Sequence, residues 1–308
     1  MAPHYCIAID LGGTNLKTAL LDPRYNILDR YLLFTGNFSR KADLIQAITF
    51  CVETIISRNK LNKKNIAGLG LGLPGPIDVE KKVVHFFPNI PGWKHVALGR
   101  ILEQKFMVPV FLDNDAKLMA LAEHRLGAAR GFKDAVCITL GTGVGGGIII
   151  GGRLYRGRDN ASSEIGHIPI NETGPFCNCG GRACVEAYIG NRRIAQEARR
   201  IFGRDIPLEE ISRRARAGDH KARALWRTVG TRLGIMLAGV VNMLNPQVIV
   251  IGGGVAGAGA VLFERVREVV SARAMAVQSR KLKIVRAKLG NDAGLIGAAI
   301  MVRERTQG

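Results

Sequence analysis

The sequence predicts an α/β protein made of two similar domains, each built on a mixed sheet. Three observations carry this. Short apolar runs alternate with helically spaced apolar segments along the whole chain. A strand–glycine–strand pattern occurs twice, in "YCIAIDLGGTNLKTALLD" from Tyr5 and in "DAVCITLGTGVGGGIIIGGRLY" from Asp134. No polar or Ser-rich linker separates the two, so the division is placed within the helix after Asp115. The expected domains are a small one, residues 1–117 plus 290–308, and a large one, residues 118–289, with the last helix returning to the first. A cleft between two such domains is the expected place for a ligand.

Each element follows from its own pattern. The opening run breaks at Gly12–Gly13 and resumes, which reads as a glycine hairpin. "RKADLIQAITFCVETIISRNK" places Leu44, Ile48, Cys51, Val52, Ile55 and Ile56 at helical spacing. "IAGLGLGLPGPID" reads as a buried strand entering a Gly-Pro loop, and "VPVFLDNDAKLMALAEHRLG" as strand, polar turn and helix. After the second hairpin come two helices, "NRRIAQEARRIFG" and "DHKARALWRTVGTRLGIMLAGVVNMLN". "PQVIVIGGGVAGAGAVLFERVREVV" reads as strand, glycine turn and helix, and "KIVRAKLGNDAGLIGAAIMVRER" as strand, turn and helix.

The 308 residues are 47% hydrophobic and 22% charged, enough apolar material for a substantial core. No apolar run reaches the length of a membrane span, and the start lacks the pattern of a signal peptide, so the expected location is cytoplasmic. The net charge of +19 attracts anions. From Arg192 to Arg232 there are twelve basic residues against five acidic ones. A solvated helical face accounts for this segment better than a nucleic-acid surface, since no nucleic-acid-binding motif accompanies it.

Three glycine turns point to phosphate. In "DLGGTN" an acid, Asp10, ends a strand before Gly12, Gly13 and Thr14, and Lys17 adds a positive charge. Glycines let the backbone approach phosphate oxygens, and Asp10 could hold a hydrated Mg²⁺. "LGTGVGGG" repeats the device with Gly141, Thr142 and Gly143, and "IGGGV" offers Gly253 and Gly254 before a helix. Neither the phosphate-loop nor the dinucleotide spacing is present. "FLDND" ends a strand with Asp113, Asn114 and Asp115. These can cap the following helix, or an Asp can accept a proton from a substrate hydroxyl.

Cys6, Cys51 and Cys137 lie singly in apolar segments, as small buried hydrophobes do. His167, Cys177, Cys179 and Cys184 form a complete tetrahedral zinc set of one nitrogen and three sulfurs. With four protein ligands the metal would be structural. A redox pair is disfavoured by the C-x-C spacing. Glu164 and Glu186 flank the ligands and suit the hydroxyls of a sugar, or are plain surface glutamates.

The chain resembles the ROK family (repressors, open reading frames and kinases), its glucokinases in particular. The resemblance runs end to end through "DLGGTN", "GLPGPID", "FPNIPGW", "LDND", "LGTGVGGG", "EIGH", "CNCGGRACVE", "GGGV" and "NDAGLIGAA". One position departs: Ala183 stands where the family has glycine before the third cysteine. The resemblance implies an actin/hexokinase-like (ribonuclease H-like) two-domain fold and ATP-dependent phosphorylation of a hexose 6-hydroxyl, glucose first. It makes Asp115 the general base. It makes Asn114, Glu164, His167 and Glu186, with Gly75 and Asn89, the sugar ligands. Asp10, Gly12, Gly13, Thr14, Lys17, Gly141, Thr142 and Gly143 would surround the phosphates and Mg²⁺, and Gly253 and Gly254 the adenosine. His167 would bind zinc with one ring nitrogen and face the sugar with the other. A homodimer or tetramer is implied.

The rivals are a kinase for mannose, N-acetylglucosamine or N-acetylmannosamine, and a sugar-responsive regulator. Such a regulator carries a DNA-binding segment before the first hairpin, for which the ten residues to Asp10 leave no room. The motifs do not choose among the hexoses or between ATP and polyphosphate as donor.

Overall fold

The computed structural model describes residues 4–13, 15–34, 38, 40–87 and 92–307, and the chain forms two compact units. Thr14 and Asn89, both expected site residues, lie outside the described residues. The first unit comprises residues 1–122, 156–162 and 291–308, and the second residues 123–155 and 163–290.

In the first unit, β1 (Tyr5–Leu11), β2 (Asn15–Leu21) and β3 (Ile27–Phe34) form an antiparallel meander. After α1 (Lys41–Arg58), β4 (Ile66–Leu73) pairs in parallel with β1. A small hairpin of β5 (Ile77–Asp78) and β6 (Val83–Val84) precedes α2 (Leu98–Phe106). Then β7 (Val110–Asn114) pairs in parallel with β4 and runs into α3 (Asp115–Arg125). The sheet order is β3-β2-β1-β4-β7. Of the α1 apolar stripe that its spacing predicts, Leu44, Ile48, Cys51, Val52 and Ile55 are fully buried in this unit's core with Ile7, Ile9, Leu69 and Leu71, and Ile56 is partly buried against it. Fully burying each such side chain is worth roughly 1.5–3 kcal/mol, so this stripe, more than helix propensity, holds α1 in place.

The second unit repeats the design. β8 (Ala135–Leu140), β9 (Val144–Ile150) and β10 (Arg153–Tyr155) form the meander. The helices α4 (Glu186–Ile189), α5 (Asn191–Phe202), α6 (Leu208–Arg216) and α7 (His220–Leu244) follow. β11 (Val248–Gly252) pairs in parallel with β8. α8 (Ala260–Arg273), α9 (Ala276–Ser279) and the edge strand β12 (Lys283–Arg286) complete it, in the order β10-β9-β8-β11-β12. The chain returns to the first unit as α10 (Ala293–Gln307). The same five-stranded order arises twice because the same strand–glycine–strand signal occurs twice.

Trp226 of α7 is fully buried in the second core, while the basic residues of α5 to α7 lie mainly on exposed faces. The few acids there are shared: Glu210 takes Arg213 and Arg214, and Glu197 takes Arg193 and Arg200. That matches a solvated helical face. Cys6, Cys51 and Cys137 are buried and free. Among the described residues no helix is long and apolar enough to cross a membrane.

Candidate active site and metal centre

In the first unit, parallel register aligns the strand ends. Asp10 of β1 lies opposite Gly72 of β4, and Gly72 lies opposite Asp113 of β7. Side chains at the carboxyl ends of such strands are where α/β sheets place their chemistry. Asn114 closes β7, and Asp115 opens α3. The Asn114 Oδ1 accepts the backbone N–H of Ala116 at 3.1 Å and of Lys117 at 3.3 Å, so it caps the helix. Its Nδ2 is not used by that cap. Capping and ligand binding, alternatives in the sequence, are thus compatible in one side chain. Asp115 Oδ1 accepts the Ala116 N–H at 2.7 Å.

Asp10 is set in the first hairpin, where the Gly12 N–H donates to the Asn15 carbonyl at 2.9 Å. Burial pushes its carboxyl above the ordinary carboxylate range, and Lys17 pulls it the other way. Lys17 Nζ lies 3.3 Å from Asp10 Oδ2 and also donates to the Asn291 carbonyl. Lys17, expected to add a positive charge to this turn, thus stands paired with Asp10. A half-buried acid at the strand end suits a divalent cation. Gly75 follows β4 with φ of 83°, and Gly13 is exposed at the hairpin tip.

In the second unit, His167, Cys177, Cys179 and Cys184 present ligand atoms all within 4.8 Å of one another. Cys177 Sγ lies 3.5 Å from His167 Nδ1, and Cys179 Sγ lies 3.7 Å from Cys184 Sγ. A tetrahedron with bonds near ~2.3 Å to sulfur and ~2.0 Å to nitrogen requires edges of about 3.5–3.8 Å. The donors fit zinc, and 3.7 Å is far beyond a disulfide bond. Burial pushes the Cys184 thiol up to about 12, whereas the Gly181 N–H lowers Cys179. The knuckle is shaped by backbone bonds from Cys177 N–H to the Gly181 carbonyl and from Ala183 N–H to the Pro175 carbonyl.

The same stretch carries both glutamates. Glu164 is exposed, with Oε2 3.9 Å from His167 Nε2, so the two ring nitrogens face different partners. Glu186 reaches the second hairpin: its Oε2 accepts the Val144 N–H at 2.8 Å. A Cβ on Gly143 would lie 2.4 Å from that oxygen, so only glycine lets the carboxylate in. Thr142 is exposed at the tip, where the Gly141 N–H bonds the Gly143 carbonyl. Gly253, with φ of 82°, would place a Cβ 2.2 Å from the Leu140 carbonyl oxygen. This brings the third glycine turn against the end of β8.

The ROK family model matches residues 6–305. This chain belongs to the ROK family. A glucokinase of Thermotoga maritima is 34% identical over 316 residues, covering 98% of each chain. A ROK glucokinase of Streptomyces griseus, solved with glucose and AMPPNP, has a TM-score of 0.85 at 31% identity over 97% of this chain and 99% of its own. A ROK hexokinase of Thermus thermophilus has a TM-score of 0.80 at 34% identity, covering 99% and 100%. The fold class is the actin/hexokinase-like one of these ROK proteins.

Ala183, where the resemblance expects glycine, adopts a left-handed backbone at φ of 56°. One expectation is corrected. No long helix opens at Gly253–Gly254, because Gly254–Ala258 forms a short 3₁₀ turn and α8 begins only after Gly259. The glycine at 259, at φ of 72°, separates the two. The sequence also gave no sign of what holds Asp113. It is fully buried, and Arg156 donates Nε and Nη2 to its Oδ2 at 3.0 and 2.8 Å.

Proposed function

We propose that this ROK protein is an ATP-dependent hexokinase acting on the 6-hydroxyl, with glucose its main substrate and the cytoplasm its place of action. The observation that carries the reading is Asp115 at the carboxyl end of β7, beside an Asn114 that already caps α3 through Oδ1. Asp115 takes the proton of the 6-hydroxyl as O6 bonds to the γ-phosphorus and the bond to the β-phosphate oxygen breaks, releasing ADP. Asn114 Nδ2 orients the sugar, with Gly75 and Asn89 lining it. Glu164 and Glu186 accept its other hydroxyls. His167 would hold zinc through Nδ1, which faces Cys177, and would then keep its proton on Nε2 to donate to the sugar.

The turns of Gly12, Gly13 and Thr14 and of Gly141, Thr142 and Gly143 would surround the phosphates, with the Gly12 and Gly141 N–H groups closing their own turns, and Gly253 and Gly254 would receive the adenosine. Asp10, with Lys17 beside it, would hold Mg²⁺, which when bound neutralises phosphate charge. His167, Cys177, Cys179 and Cys184 would hold zinc with no open position, so the metal stiffens the loop without entering the reaction.

The test is ADP release with Mg–ATP across glucose, mannose, N-acetylglucosamine, N-acetylmannosamine, fructose and allose. Greatest turnover on glucose supports the reading. Preference for an acetylated sugar keeps the reaction and changes the substrate, and no turnover on any hexose overturns it. Asp115→Ala should bind sugar yet lose ~10²–10⁴-fold in rate, the scale of general-base loss.

A further inference from the structure

One residue far from the motifs is fastened on both sides of the candidate base. Asn160 belongs to the first unit, in the segment 156–162. Its Nδ2 donates to Asp113 Oδ1 at 3.3 Å and to the Ile77 carbonyl at 3.3 Å. Its backbone carbonyl accepts Lys117 Nζ. Asp113 and Lys117 bracket the pair Asn114–Asp115, and Ile77 lies two residues after Gly75. A single residue thus ties together the strand end, the first turn of α3 and the Gly-Pro loop. Asp113 and Lys117 are both buried, at 0% and 2% exposure, so these are not solvent-screened surface contacts.

The tie is held against two local costs. Asn160 adopts φ of 57°, a left-handed backbone that non-glycine residues rarely take. Its Oδ1 is buried with no hydrogen-bond partner among the described residues. A carboxamide chosen for stability alone would have both ends satisfied. Strain and an unsatisfied acceptor meeting in one residue, at one point against the reacting strand end, mark a position kept for function.

We infer that Asn160 is a positioning residue of the phosphoryl transfer: it braces Asp113 and Lys117 so that Asp115 holds its aim on the sugar hydroxyl. The inference rests on the hexokinase reading above. Asn160 touches no substrate in it, and acts through Asp115.

Asn160→Gly is the fitting variant, since glycine accepts the left-handed backbone, keeps the carbonyl for Lys117 and removes only the Nδ2 bonds. Small misplacement of a reacting group costs up to ~10²-fold, so kcat should fall about 10–100-fold. The KM for ATP should stay within twofold, with zinc content unchanged. The deciding measurement is a double-mutant cycle with Asp115→Ala. If Asn160 works through the base, Asn160→Gly should have little further effect once the base is gone. Equal fractional losses in both backgrounds, or a single variant within twofold of wild type, would overturn the brace. Should the wild type phosphorylate no hexose, the hexokinase reading falls by itself. Hydrogen exchange of residues 110–117 then still reads the brace: faster exchange in Asn160→Gly supports it, and unchanged exchange overturns it.

Discussion

Glu186 Oε2 accepts the Val144 N–H at 2.8 Å, and this bond joins the end of the cysteine knuckle to the glycine hairpin of β8 and β9. Through it, a residue placed by the candidate metal loop is also placed by the second glycine hairpin. Gly143→Ala tests the joint, because its Cβ would lie 2.4 Å from the carboxylate and displace it. We expect kcat/KM for the sugar to fall by up to ~10²-fold, the usual scale for loss of orientation. Zinc content should not change. Steady-state kinetics beside metal analysis checks this, and normal sugar kinetics would show that Glu186 does not depend on the hairpin.

The metal itself is tested through Cys179, the exposed ligand of the set. Removing one of four ligands leaves a site that zinc binds poorly. Cys179→Ala should purify with substoichiometric zinc and with faster proteolysis of the segment 168–185, and should lose most of its activity. Full metal occupancy with normal turnover would eliminate the structural-zinc reading.

What was legible in the chain was whatever is written locally. His167, Cys177, Cys179 and Cys184 fall within eighteen residues, so spacing alone assembled them, and the geometry agrees. The paired hairpins were legible because glycine at a strand end is a strong local signal. Ala183 was legible as a departure, while its left-handed backbone needed coordinates. The small elements escaped. β3 was missed although "ILDRYLLF" alternates, because both of its faces carry apolar residues and its burial only alternates between half-buried and exposed.

Tertiary partners escaped for a different reason. Arg156 lies 43 residues from Asp113, and Asn160 lies 47 away, with no periodicity linking them. The partner of Glu186 is a backbone N–H, which every residue type but proline supplies. The partner of Lys17 likewise needed the sheet, since a lysine after a glycine turn reads only as an added positive charge. Antiparallel register sets it directly opposite Asp10.

That pairing leads to a test in which stability and activity part company. Burial raises the Asp10 carboxyl, and Lys17 only partly offsets it. A carboxylate raised on folding favours the folded state while it is protonated. That contribution is complete below its unfolded value of about 3.9 and is lost as pH rises through the folded value. Asp10 therefore costs stability as pH rises through its folded value when no cation is bound. Asn keeps the shape and removes the charge. Asp10→Asn should thus melt above the wild type at pH 7 without nucleotide, and the gap should close as pH falls toward 4. Its turnover with Mg–ATP should fall by ~10² or more, since the group that would hold Mg²⁺ has lost its charge. Thermal scans across pH, paired with kinetics, decide it. A lower melting point for Asn at pH 7 would mean that the Lys17 pairing outweighs the burial cost, and the acid would then be stabilising in its own right.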